Sequence, residues 1–292
     1  MPWLINAEQV DSFRKNQKNL VILDATWHGA NSDKAKQEFL EKHIPSARFF
    51  DINAFNDSNT SLPNMLLRDE KQASSLLGAL GLRPDCKIIF YDRSMYHSSC
   101  RALWMLKMLG HPPQLLYILD GGLPAWEKYG GKVETGESHT APKPYTIKRH
   151  EKYLRTLAQM KEILQGFSEQ VVDARHPVRF TGGAEPRTGI RAGHIPGSFG
   201  FPFPAFFDNE GYFLPLDKLR RRLEGVSINL QQPTVTLCGS GITAAVINFV
   251  LDILGNESNA LYDGSWTEWG AEAIYAGESG LAERPVESFL YY

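Results

Sequence analysis

The chain has only three cysteines, Cys86, Cys100 and Cys238, in 292 residues. They are too few for a disulfide framework, and no C-x-x-C pair offers a zinc site. No apolar run reaches membrane length. The most apolar stretch, Ala244 to Leu254, is interrupted by Asn248 and Asp252 and is far too short to span a bilayer. Neither charge dominates: 31 Lys and Arg stand against 33 Asp and Glu, for a net charge of -2. The signs are interspersed, which leaves no basic face for nucleic acid. The opening MPWLINAEQVDSFRKN carries Glu8, Asp11, Arg14 and Lys15 and lacks an apolar core, so no secretory signal is expected. A reducing cytoplasm is the expected setting, and it would keep a reactive thiol available. No oligomerisation signature is present, so a monomer is the default.

What is present is ordinary in bulk and informative in order. A hydrophobic fraction of 42% and a charged fraction of 22% fit a globular protein, and the length suits two domains. The chain repeats itself. Val21-Ile22-Leu23-Asp24-Ala25 resembles Val171-Val172-Asp173-Ala174, and His43-Ile44-Pro45 resembles His194-Ile195-Pro196. Ile88 to Asp92 resembles Val235 to Cys238, and Asp120-Gly121 with Trp126 resembles Asp263-Gly264 with Trp269. The four landmarks keep their order at offsets of 149, 151, 146 and 143 residues, which predicts two copies of one domain.

Within each copy, short β-branched runs (LVILDA, KIIFYD, PTVTLC) read as buried strands of a parallel sheet. Amphipathic patterns over 69–80, 100–109, 216–223 and 243–254 read as helices, with Gly110 and Gly255 as stops after two of them. Strands alternating with helices predict an α/β fold, each domain a mostly parallel sheet flanked by helices. The stretch from Glu134 to Lys148 carries two prolines and little periodicity. The expected division is a domain over 1–133, a linker over 134–150 and a second domain over 151–292. The tail from Leu281 to Tyr292 has no role that the sequence defines.

Residues shared by both copies are expected to hold the fold; His43 and His194 belong to that class. Residues in one copy only are the functional candidates, and the sharpest difference sets Asp92 against Cys238. Cys238 ends a strand-like run and is followed by Gly239-Ser240-Gly241-Ile242-Thr243 and a helix pattern. Two glycines let the backbone curl, successive N–H groups can form an anion-binding nest, and the helix adds the positive end of its dipole. Together these favour a thiolate, the nucleophilic form. Ser240 and Thr243 add hydroxyls. Cys86 and Cys100 have no such loop and are expected to be core residues.

The run Cys238-Gly239-Ser240-Gly241-Ile242-Thr243 resembles the active-site loop of the rhodanese superfamily, in its 3-mercaptopyruvate sulfurtransferase branch. The similarity extends from Leu20 to about Glu287. It implies two rhodanese-like domains, an inactive N-terminal one and a catalytic C-terminal one. It also implies sulfur transfer from 3-mercaptopyruvate through a persulfide on Cys238, with pyruvate released. The acceptor would be cyanide, a small thiol or a thioredoxin-like protein, and no metal or organic cofactor is needed. Catalytic roles fall to Cys238 and Ser240, and donor binding to Gly239, Gly241, Ile242, Thr243, Arg179 and Arg187. Thiosulfate-using members carry basic residues after the cysteine; Gly239 and Ser240 are neutral, which suits a donor with one carboxylate. Arg179 and Arg187 match the family's substrate-binding arginines, and a guanidinium fork suits a carboxylate beside a carbonyl. Arg191, on the approach to His194, is a weaker candidate.

One feature departs from that branch. Asn53 and Asn64 stand where an aspartate and a histidine often serve to activate the loop serine. Neither asparagine is a general base, so a serine triad on Ser240 is not expected; Asp51 is nearby in sequence. Thiosulfate as donor and a non-catalytic sulfur relay are the alternative readings. A dinucleotide site built on Gly239-Ser240-Gly241-Ile242-Thr243-Ala244 leaves the repeat unexplained and sits too near the end of the chain. A cysteine phosphatase needs an arginine where Ala244 stands, and the G-x-S-x-G of a serine hydrolase is absent.

Overall fold

The β-branched runs form the central strands of two sheets. The computed structural model describes residues 3–29, 32–66 and 68–289. In the first sheet the strands are β1 (Leu4–Ile5), β2 (Leu20–Asp24), β3 (Arg48–Phe49), β4 (Lys87–Tyr91) and β5 (Leu116–Leu119). They lie in the order β1-β5-β4-β2-β3, every pair parallel. The second sheet holds β6 (Leu154–Arg155), β7 (Gln170–Asp173), β8 (Phe199–Gly200), β9 (Thr234–Leu237) and β10 (Asn259–Tyr262). Its order, β6-β10-β9-β7-β8, is the first order shifted by five strands, again all parallel. The duplication read from four landmarks is thus a duplication of topology.

The helices of the first repeat are α1 (Ala7–Asn16), α2 (Ser32–Glu41), α3 (Glu70–Ala79), α4 (Ser99–Met108) and α5 (Gly122–Lys128). Those of the second are α6 (Leu157–Gly166), α7 (Pro177–Phe180), α8 (Leu216–Glu224), α9 (Ala244–Ile253) and α10 (Ser265–Trp269). Local chemistry explains their ends. Asn6 caps α1 and Thr156 caps α6, each in a reciprocal capping box with a glutamine. Gly110 and Gly255 follow α4 and α9 with φ of 95° and 91°. The N–H of His111 reaches Leu106 O and that of Asn256 reaches Leu251 O, both at 2.9 Å. Both stops are therefore Schellman turns, which need a residue at ease with positive φ. No helix among the described residues is long and apolar enough to cross a membrane.

The chain divides into two compact units. One comprises the chain through Asn59, Leu66–His150 and Phe207–Phe213; the other comprises Thr60–Met65, Glu151–Phe206 and the chain from Leu214 onward. The stretch expected as a linker stays with the first unit. Glu134 pairs antiparallel with His43, Tyr145 and Ile147 are buried, and Lys148 and His150 donate to Leu109 O and Met108 O. Its lack of periodicity reflects extended backbone that borrows partners from helix ends.

The shared residues hold each unit. His43 and His194 are buried, and each contacts through Nδ1 a backbone oxygen at 2.8 Å, that of Phe39 and of Phe180 respectively. Each also stacks on that same phenylalanine at 4.0 Å. Trp126 and Trp269 are buried and donate their indole N–H to Lys132 O at 2.7 Å and Pro285 O at 2.9 Å. Truncating either to alanine would cost about 3–5 kcal/mol. The tail also packs: Glu287 pairs with His194, and buried Arg284 donates to Trp269 O and Ala271 O. Leu290, Tyr291 and Tyr292 lie outside the described residues.

Candidate active site

In both sheets β2 and β7 carry the aspartate of the Asp-Ala pair to the end of the strand, and both carboxylates are buried and hydrogen-bonded. Asp24 accepts from Thr26 and pairs with Arg93 at 3.3 Å. Burial pushes its carboxyl above the ordinary value, while Thr26 and Arg93 pull it back. Asp173 is held by the Arg175 fork at 2.7–3.0 Å. Asp24 is in register with Tyr91, and Asp173 with Leu237. The next residue on each neighbouring strand is Asp92 or Cys238, so both occupy the carboxyl end of their sheet, where parallel α/β proteins place ligands.

The two loops differ in what fills them. In the first unit the Asp92 carboxylate accepts the N–H of Ser94 and of Ser99, both at 2.8 Å, so two of the loop's donors are taken by its own aspartate. In the second unit Cys238 is 3% exposed, and the loop leads into α9 through Gly241 at φ 81°. The N–H groups of Ser240, Ile242 and Thr243 have no protein acceptor among the described residues. Three backbone donors of the loop, ahead of a ten-residue helix, are thus left without a protein acceptor, as an anion-binding nest requires.

Several side chains fix this loop. The Cys238 N–H donates to Ser265 Oγ at 3.2 Å, and Ser265 Oγ donates to Tyr262 O at 2.8 Å. Ser265 does this at φ 51°, a conformation that suits its counterpart Gly122, at φ 58°, far better. Thr267 donates through Oγ1 to Gly239 O at 2.6 Å. Neither Ser265 nor Thr267 was singled out from the sequence, although each differs from its counterpart, Gly122 and Pro124, as a functional candidate should.

The sequence candidates fall as follows. Cys238, Gly239, Ser240, Gly241, Ile242 and Thr243 make the loop itself. Arg187 lies across it: Nη1 donates to Gly239 O at 2.8 Å and to Thr267 Oγ1. A Cβ at position 239 would collide with Arg187 Nη2, so the glycine makes room for the guanidinium. Burial first, then Arg179, lowers the Arg187 pKa, and Cys238 and Glu185 oppose the shift. Arg179 is held in a fork by Glu185, Nη2 to both carboxylate oxygens at 2.8 Å and Nε to one at 3.1 Å. Arg191 donates to Trp269 O and Gly270 O and serves the fold. Asn64, at φ 61°, belongs to the second unit and donates through Nδ2 to Ser240 Oγ at 2.8 Å. Asn53 belongs to the first unit, where it accepts from Trp27 Nε1 at 2.9 Å and donates to Gly29 O at 3.0 Å. Cys86 and Cys100 are buried, and burial raises both thiols.

A duplicated parallel α/β unit with a cysteine-headed loop in one copy only defines a class of tandem-repeat proteins with one loop thiol. The profile of the Rhodanese-like domain matches residues 6–129 and 156–272, one copy in each repeat. The chain belongs to the rhodanese-like family. It is 36% identical over 279 residues to thiosulfate/3-mercaptopyruvate sulfurtransferase 1, mitochondrial, of Arabidopsis thaliana, covering 88% of this chain and 73% of that one. It is 35% identical over 254 residues to human 3-mercaptopyruvate sulfurtransferase, covering 86% and 84%. Among solved structures it superposes on the 3-mercaptopyruvate sulfurtransferase SseA from Escherichia coli with a TM-score of 0.81 at 29% identity, covering 91% of this chain and 99% of that one.

Proposed function

We propose that the chain is a sulfurtransferase that carries sulfur as a persulfide on Cys238, with 3-mercaptopyruvate as the preferred donor. The observation that carries this reading is the nest: a near-buried thiol flanked by the unengaged N–H groups of Ser240, Ile242 and Thr243. The relatives named for 3-mercaptopyruvate support the donor class. In the first step the Cys238 thiolate attacks the donor sulfur. The S–S bond forms as the C–S bond breaks, and the electron pair stays on carbon as the enolate of pyruvate, which then takes a proton. Fixed N–H donors and Arg187 meet the developing negative charge, the arrangement that contributes most when it is preorganised. In the second step an acceptor such as cyanide, a small thiol or a thioredoxin-like protein takes the outer sulfur and returns Cys238 as thiolate.

Arg187 lies over Gly239, and Arg179 offers its remaining Nη1 edge; these two bind the donor carboxylate and carbonyl. Ser240 is a hydroxyl donor to the same anion. The C-terminal repeat is catalytic and the N-terminal repeat inactive, since Asp92 occupies its own nest. The cysteine usage supports a reducing compartment such as the cytoplasm. A second reading, thiosulfate as donor, is supported by the Arabidopsis relative whose name includes both donors. Incubation with 3-mercaptopyruvate should add one sulfur atom to the peptide containing Cys238 by mass spectrometry, with none added in Cys238→Ser. An unmodified Cys238 peptide would refute the persulfide.

A further inference from the structure

Arg187 crosses the Cys238 loop at Gly239 and has Arg179 and Arg175 within electrostatic reach; the partners of these three arginines decide how much charge a donor meets. Arg175 is bound to Asp173 and Arg179 to Glu185, each pair within 2.8 Å at its closest. Arg187 has no carboxylate within ion-pair distance among the described residues and lies on neutral oxygens of Gly239 and Thr267. The Glu185 side chain is 3% exposed and faces two guanidiniums, Arg179 Nη2 at 2.8 Å and Arg175 Nη1 at 3.7 Å from the same carboxylate oxygen. Arg175 Nη1 is buried with no hydrogen-bond partner, so the carboxylate is the charge it faces. Burying a carboxylate here is tolerable because two cations compensate it. The consequence is a site with three guanidiniums and a net charge of about one, from Arg187.

We infer that Glu185 is a specificity-determining residue: by offsetting Arg179 it limits the cradle to one net positive charge and selects monoanionic sulfur donors over dianionic ones. The inference rests on the sulfurtransferase reading. Discrimination here is a difference of affinities, and a neutralising group placed beside an attractive one lowers binding of the more highly charged competitor. Thiosulfate carries two charges and mercaptopyruvate one carboxylate. The neutral Gly239 and Ser240 are consistent with the same selection, but Glu185 acts where cations are already present.

The test compares kcat/KM for 3-mercaptopyruvate and thiosulfate in the wild type, Glu185→Gln and Glu185→Gln/Arg179→Gln, with cyanide as acceptor. Releasing a unit charge near the loop should raise the thiosulfate-to-mercaptopyruvate ratio about tenfold in Glu185→Gln, mainly through a lower KM for thiosulfate. The double variant removes the released charge together with one donor contact, so kcat/KM should fall for both donors while the ratio returns toward the wild-type value. An unchanged ratio in a folded, active Glu185→Gln overturns the inference. Should that variant fail to fold, inhibition of the wild type decides: pyruvate must compete with mercaptopyruvate about tenfold better than sulfate does, and a preference for sulfate overturns it. A wild type inactive with both donors would overturn the sulfurtransferase reading, and this inference with it.

Discussion

The side-chain amide of Asn64 donates to Ser240 Oγ at 2.8 Å. A serine that accepts from an amide keeps its own proton free to donate, so the pair supplies a fixed hydroxyl and no base. This differs from a serine that hands its proton to a histidine.

Ser240→Ala should lower kcat with mercaptopyruvate by about 100–1,000-fold, the range expected for losing one preorganised donor, and Asn64→Ala should lower it by no more than that. The double variant should lose no more than the worse single variant, because the two act as a unit. Asn64→His would place a titrating group beside the serine and add an ionisation between pH 5 and 8 to the kcat profile. Steady-state kinetics across that range measure both effects.

Gly239 is the point where Arg187 crosses the loop. Gly239→Ala should force the guanidinium aside, since the collision is with the far end of a flexible side chain. KM for the donor should rise about tenfold with the melting temperature little changed. Arg187→Gln should raise KM at least as much, as loss of a charge-assisted contact predicts.

Asp92 and Cys238 occupy the same place at the ends of β4 and β9. Asp92→Asn leaves one oxygen to accept from two N–H groups, so stability should fall by about 1–2 kcal/mol. Sulfur transfer should be unaffected in the folded protein. Chemical denaturation and a cyanide assay on the same preparation separate the two effects.

Asp120 accepts the N–H of Phe213 at 2.9 Å, and burial raises its carboxyl to about 6. Its folded pKa lies above its unfolded one, so the folded state binds more protons between about pH 4 and pH 6. The stability this group lends is therefore present below about pH 4 and is lost as pH rises through about 6. Asp120→Asn should be more stable than the wild type at pH 7.5, by up to about 3 kcal/mol, and should show little advantage at pH 4. Melting temperatures at the two pH values check the sign.

Much of this was legible in the sequence because it is local or repeated. The strands at LVILD, KIIFY and TVTL, the stops at Gly110 and Gly255, and the structural roles of His43 and His194 follow from periodicity, backbone freedom and duplication. The Cys238 loop was legible because its turn and the helix behind it are contiguous. Asn64 was visible as a substitution but not as a partner, since 176 residues separate it from Ser240. Glu185, between Ala184 and Pro186, carries no local signal, and only folding shows that its carboxylate faces Arg179. Ser265 and Thr267 stand where the first repeat has Gly122 and Pro124, a difference between the repeats that carries no periodic or turn signal of its own. The 134–150 stretch read as a linker because irregular backbone hydrogen-bonded to helix ends leaves no periodic signal.

The most direct test of the central claim is sulfur transfer to cyanide with 3-mercaptopyruvate and thiosulfate in parallel, using Cys238→Ser as the blank. The account predicts turnover that favours mercaptopyruvate and disappears in the mutant. Transfer that persists without the Cys238 thiol would contradict it.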